Sequence, residues 1–85
     1  MNHENDFKDN ILDCLYETDC FIEYMSVNSG RTLEGWFTLA GDKKIKQYNT
    51  SDTIVCWDIE NNKWEDIRTN TISRWQRRME WKRST

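Results

Sequence analysis

The chain contains no proline. That removes one kind of turn marker and excludes a Pro-rich linker or recognition tail. Histidine is represented only by His3, close to the first residue. No histidine can therefore act as a base beside a cysteine, and the usual four-ligand zinc spacing is missing. Three cysteines, Cys14, Cys20 and Cys56, form no CxxC. An odd count without a signal peptide predicts reduced, buried thiols in a cytoplasm. Three glycines leave no phosphate-cradling loop. The apolar runs are only a few residues long, so no membrane span and no membrane partner are expected. Carboxylates stand close together at Asp58 and Glu60 and at Glu65 and Asp66. They read as a solvated turn rim rather than an acid–base pair. The expectation is a protein that is not an enzyme and holds no metal or cofactor.

What is present is aromatic weight and charge. Eighty-five residues make one domain with limited room for a core. Aromatics are 13% of the chain and include five tryptophans, which bury much area per residue. Charged residues make up 32%, but with both signs present the net charge is only −3. Phe7, Ile11 and Leu15, with Leu12 beside them, predict an amphipathic helix over 5–17 capped by Asn5 or Asp6. Its opposite face is acidic. Residues 20–27 are extended in character, Asn28-Ser29-Gly30 marks a turn, and residues 31–39 alternate around Leu33, Gly35, Phe37 and Leu39. Gly35 in mid-strand predicts a bend or bulge. After a polar loop over 40–52, Thr53–Asp58 and Trp64–Thr69 form a second hairpin, with Asn62 able to turn left-handed and Trp64 as its core anchor. A last strand is expected from Thr71 to Gln76 with Ile72 inward. The fold class is mainly β (α+β): one helix and five short antiparallel strands, best arranged as a small closed or half-open barrel over 20–76.

Several segments carry a family resemblance. Ser29-Gly30-Arg31 ends an extended segment, and Thr38-Leu39 ends the next strand. Val55-Cys56-Trp57-Asp58-Ile59-Glu60 follows, then Asn62-Lys63-Trp64, Ile67-Arg68 and Ile72-Ser73. This order resembles the WYL-type family of small phage proteins, across about residues 20–76. The resemblance implies a five-stranded barrel of the Sm-like, SH3 type, a module that binds nucleic acid or protein, and no catalysis. The chain's size and basic tail are similar to a phage inhibitor that binds RNA and antagonises a ribonuclease toxin. That likeness makes RNA and a host toxin ribonuclease the expected partners, in a counter-defence role.

The charge is unevenly placed. Residues 1–20 hold six acids and one base, −5, and residues 21–66 hold eight acids and five bases, −3. Residues 67–85 hold six bases and Glu80 alone as acid, +5. The basic segment carries Arg68, Arg74, Arg77, Arg78, Lys82 and Arg83, interleaved with Trp75 and Trp81. Arginine pairs with phosphate and indole stacks on unpaired bases, so this pattern suits RNA, single-stranded or structured. Lys43, Lys44 and Lys46 can extend the track if their loop lies nearby. The same residues also fit a solvated tail, or a homodimer seam: as a strand, the tail puts Trp75, Arg77, Met79 and Trp81 on one face and Arg74, Gln76, Arg78, Glu80 and Lys82 on the other, whereas as a helix it puts Arg74, Arg77 and Arg78 on one face. Trp36 and Trp57 are candidates for an exposed aromatic platform. A protein-only alternative docks the acidic helix on a basic host protein.

Overall fold

The structure, a computed structural model, describes residues 3–47 and 52–78. Helix α1 (His3–Glu17) is followed by strands β1 (Cys20–Met25), β2 (Thr32–Thr38), β3 (Thr53–Asp58), β4 (Lys63–Arg68) and β5 (Ile72–Arg77). The strands form one antiparallel sheet in the order β4-β3-β2-β1-β5. The expected helix and five antiparallel strands are all present. The sheet's two edges, β4 and β5, are consecutive in sequence and joined by a single 3-10 turn, Thr69–Thr71. Among the described residues no ladder joins those edges, so the sheet is not closed into a barrel.

Helix α1 lies on the inner face. Ile11, Leu12, Cys14 and Leu15 are buried against Cys20, Ile22 and Tyr24 of β1, Phe37 of β2, Leu39, Ile54 and Cys56 of β3, and Ile67 of β4. The helix begins at His3, two residues before its expected start, so Asn5 and Asp6 lie inside its first turns rather than capping it. Its buried stripe is also displaced: Lys8 is buried, whereas Phe7 is 37% exposed. The centre of the Ile11–Leu12–Leu15 stripe lies nearer Lys8 than Phe7, and a lysine's alkyl stem can cover apolar surface. At the helix C-terminus, Thr18 N–H donates to Cys14 O at 2.9 Å and Leu39 N–H to Leu15 O at 2.9 Å. The second of these bonds ties the helix end to the sheet and occupies a carbonyl that a helix leaves open.

Alternation explains most strand faces, and it corrects the reading of Trp64. Ile54 opposes Ile67, Cys56 opposes Glu65, and Trp57 opposes Trp64. With Ile67 inward, Glu65 follows it and Trp64 must point outward; Trp64 is 43% exposed. The hairpin is anchored by Ile54, Cys56 and Ile67 instead. Its turn is organised by Asp58, which is buried rather than on a solvated rim. One Asp58 carboxylate oxygen accepts the Glu60 and Asn61 N–H groups at 3.1 Å each, and the other accepts Asn61 Nδ2 at 2.8 Å. Asn62 takes φ 55° and Gly30 takes φ 74°, as their turns require.

The irregularity expected at Gly35 lies elsewhere. Gly35 pairs regularly with Ile22. A side chain there would meet Glu60 Oε1 at 3.2 Å. The register shift falls between β1 and β5, at Glu23 and Tyr24. Strand β2 pairs with β3 only at Phe37 and Thr38. Where β2 has left, the Gln47 side chain takes its place on β3, donating to Val55 O at 2.9 Å and accepting Val55 N–H at 3.2 Å. All three cysteines are free and buried. Among the described residues, no helix is long and apolar enough to cross a membrane.

Candidate nucleic-acid interface

The outer face of the sheet is set by the residues that alternate away from the core. In β1 these are Phe21, Glu23 and Met25; in β2 they are Thr32, Glu34, Trp36 and Thr38. Phe21 pairs in register with Trp36 on one side and with Gln76 of β5 on the other. The Phe21 and Trp36 rings meet edge-to-face at 5.5 Å between centroids. Arg74 of β5 and Arg78, the residue that follows the strand, reach this same face. The Arg74 guanidinium lies 5.4 Å from the Phe21 ring centroid, and that of Arg78 lies 5.6 Å from the Trp36 centroid.

Each of these arginines also has a carboxylate. Arg74 Nε is 3.6 Å from Glu23 Oε1, and Arg78 Nη1 is 2.6 Å from Asp19 Oδ2. Ser73 Oγ donates to the same Glu23 oxygen at 2.8 Å. The Arg78 N–H donates to Asp19 O at 3.1 Å, so backbone as well as side chain fixes this corner. Ring and carboxylate together hold each guanidinium in place while leaving more than half of its side chain exposed. Phe21 and Trp36 are half-buried, and a guanidinium lying over such a ring still has N–H groups beyond the one facing its carboxylate with which to meet a phosphate in its plane.

The structure separates the other predicted site residues. Trp75 opposes Ile22 and packs on the core. Arg77, on that same inner side of β5, pairs with Glu17 of α1 at 2.5 Å. Lys43 turns to the outer face, with Nζ 3.6 Å from the Trp57 ring centroid. Lys44 lies over Tyr16 of the helix at 5.6 Å, and Lys46 lines the groove between helix and loop with Asp9 and Asp13. Arg68 borders a hollow of about 270 Å³ at the opposite end of the β3–β4 hairpin from Trp57, beside Tyr24, Asn28 and Glu65. Trp81, Lys82 and Arg83 lie outside the described residues. Thus Arg74, Arg78 and Lys43 share the outer face, and Arg77, Lys44 and Lys46 lie toward the helix.

Phe21 is a member of this face that the sequence reading passed over, as are Glu23 and Asp19, the partners of Arg74 and Arg78. The alternation of Cys20, Ile22 and Tyr24 is enough to place Phe21 outward, but its ring reads as core until the register is known. Tyr24 lies beneath, buried, its hydroxyl 3.4 Å from Glu65 Oε2. Burial, and then the Glu65 charge, push its pKa up to about 12. Burial likewise pushes up the thiols of Cys14, Cys20 and Cys56, which suits packing rather than nucleophilic chemistry. Among the described residues no cluster of histidine, cysteine or carboxylate side chains can hold a metal ion. Comparison with family models, curated proteins and solved structures returns no match.

Proposed function

We propose that this chain is an RNA-binding protein that presents the outer face of its sheet to an RNA strand. The observation that carries the reading is the pair of arginines laid over half-buried aromatics of the outer face, Arg74 on Phe21 and Arg78 on Trp36. An unpaired nucleotide offers a flat base and an adjacent phosphate, and this surface offers a ring and an adjacent cation for each. Stacking contributes about 1–3 kcal/mol per base. A cation–π contact at an exposed site is worth about 0.5–1 kcal/mol, so a base can displace the guanidinium and leave it to the phosphate.

The wider reading is a phage counter-defence protein of Sm/SH3-like barrel type that binds RNA and neutralises a host ribonuclease toxin in the bacterial cytoplasm. The phage and toxin elements rest on the resemblance of residues 20–76. Support for the barrel comes from the strand order, which makes β4 and β5 the two edges and links them through a three-residue turn.

Fluorescence anisotropy of a labelled single-stranded RNA, titrated at low and moderate salt, tests the reading. Binding that weakens steeply with salt is expected, along with its loss in the Arg74→Ala, Arg78→Ala double variant. Arg77→Ala, on the other side of the strand, should leave affinity nearly unchanged. Equal losses from Arg77→Ala and the double variant would remove the outer face as the site. A second reading is favoured by Asp9, Asp13 and Glu17, which are exposed at i, i+4 and i+8 along α1. That acidic row suits a basic protein partner without nucleic acid. No RNA binding at low salt, with a host protein retained by the wild type and lost when the three acids are replaced, would establish it.

A further inference from the structure

The aromatic surface does not stop at β2. Thr38, on the same face as Trp36, pairs with Trp57 of β3, and Trp57 pairs with Trp64 of β4. Cross-strand partners share a face. Phe21, Trp36, Trp57 and Trp64 therefore give each of β1, β2, β3 and β4 one outward aromatic ring. Trp57 and Trp64 meet edge-to-face at 5.2 Å. Lys43 lies over Trp57, and among the described residues no carboxylate is within ion-pair distance of it. The motif of the first cluster, a ring pair with a cation on a ring, is thus repeated further along the face.

We infer that an unpaired RNA strand crosses the sheet from β5 toward β4, with Trp57, Trp64 and Lys43 as a second base-and-phosphate station. This rests on the RNA-binding reading above. The repeat favours a strand over other ligands: three ring–cation pairs match a polymer in which every unit carries one flat base and one phosphate. A duplex covers its base faces, so only an unpaired strand can use the rings. Five strands about 4.8 Å apart span roughly 19 Å. That width suits a footprint at the short end of the roughly 4–16 nucleotides that a small β-barrel domain covers.

The test compares labelled oligouridylates of about three and about eight nucleotides, a duplex competitor, and the variants Trp64→Ala, Trp57→Ala, Trp64→Phe and Lys43→Ala. Circular dichroism confirms that each variant is folded. The long oligomer is expected to lose about 5- to 150-fold in affinity with Trp64→Ala or Trp57→Ala, and the short one much less. Trp64→Phe should restore most of the loss. Lys43→Ala should lower the salt slope for the long oligomer by about 0.7, one phosphate's worth on a single strand. The duplex should compete poorly. Long-oligomer affinity unchanged in both tryptophan variants overturns the second station. If Trp36→Ala still weakens both lengths, the first station stands alone. Competition by duplex equal to that by single strand overturns the unpaired path, and a wild type that binds neither oligomer removes this inference together with the RNA-binding reading.

Discussion

Two aromatic–cation clusters share the outer face, and they are built differently. The Phe21–Trp36 cluster sits on β1 and β2 near the middle of the sheet. Strand β1 is paired along its length on both sides, with β2 and with β5. Both arginines of this cluster are held by a ring and a carboxylate. The Trp57–Trp64 cluster sits on the β3–β4 hairpin at one edge of the sheet. There β3 meets β2 at only two residue pairs and takes a glutamine side chain as a substitute strand. Its cation, Lys43, stands on a 3-10 turn. The first cluster stands on more completely paired strands but has its charge partly neutralised. The second stands on a hairpin with little pairing to β2 and has a cation outside any ion pair among the described residues. Preorganisation lowers the cost of ordering on binding, whereas an unpaired cation offers more to a phosphate.

The strongest way to break the comparison is to release the edge hairpin. Asp58→Ala removes the acceptor for three hydrogen bonds beneath the turn that joins Trp57 to Trp64. Hydrogen bonds to a buried charge make this a loss of about 3 kcal/mol in urea unfolding. Under native conditions the Trp57–Trp64 contact should loosen while Phe21–Trp36 persists, which site-resolved hydrogen exchange would read. Equal loosening of both would show that the clusters form one cooperative unit.

Alkaline pH acts on the link between the two halves. Tyr24 of β1 reaches Glu65 of β4, and its folded pKa of about 12 lies above the ordinary value of 10.0. The folded state therefore holds the proton more tightly than the unfolded chain. Its stabilisation is complete below about pH 10 and is lost as pH rises through 12, a change of roughly 2–3 kcal/mol. The buried thiols, also pushed up, act in the same direction from about pH 9. Urea midpoints measured from pH 8 to 11 should fall, and Tyr24→Phe should reduce the fall. A flat profile would remove Tyr24 as a proton-linked tie.

Thiol labelling gives a smaller effect and a direct ranking. Cys20 lies under the first cluster and Cys56 under the second, both fully buried. In variants that keep only one of them, Cys56 should react about tenfold faster, because its strand is paired less completely and opens more often. Faster labelling of Cys20 would reverse the ranking.

How much of this was legible beforehand depends on whether the signal is local. The alternation of Ile54, Cys56 and Ile67, the turns at Gly30 and Asn62, and the opposite faces of Arg74 and Trp75 all follow from a period of two residues. The departures come from partners distant in sequence. Trp64 reads as an anchor because a tryptophan beside a turn has large area to bury; only its register with Trp57 puts it outside. Phe7 reads as core because it is apolar and stands four residues before Ile11; the helical spacing of Ile11, Leu12 and Leu15 already centres the stripe nearer position 8, but a lysine there is not read as buried. The division of the lysines, Lys43 to the sheet and Lys44 and Lys46 to the helix, depends on a 3-10 turn that three adjacent lysine-rich positions do not announce. The clustering of Arg74 and Arg78 with Phe21 and Trp36 needs β5 to pair with β1, fifty residues away in the case of Ser73 and Glu23.

The finest distinction between the clusters concerns the carboxylates. Asp19→Asn keeps an oxygen that can accept from Arg78, and the Arg78 N–H still donates to the Asp19 carbonyl, so the arginine should stay in place. What changes is charge: the guanidinium is no longer neutralised at 2.6 Å. An exposed ion pair is worth up to about 1 kcal/mol, so freeing Arg78 should tighten RNA binding about two- to fivefold. The gain should be largest at low salt and shrink as the Debye length shortens. Stability should change little, for the same reason. The second cluster supplies the control: Asp42→Asn, on the turn that carries Lys43, removes a charge that makes no ion pair with that lysine, and should give a smaller gain. Equal gains from Asp19→Asn and Asp42→Asn would mean that only the overall negative charge is being relieved. A gain confined to Asp19→Asn would place Arg78 on the path of the strand.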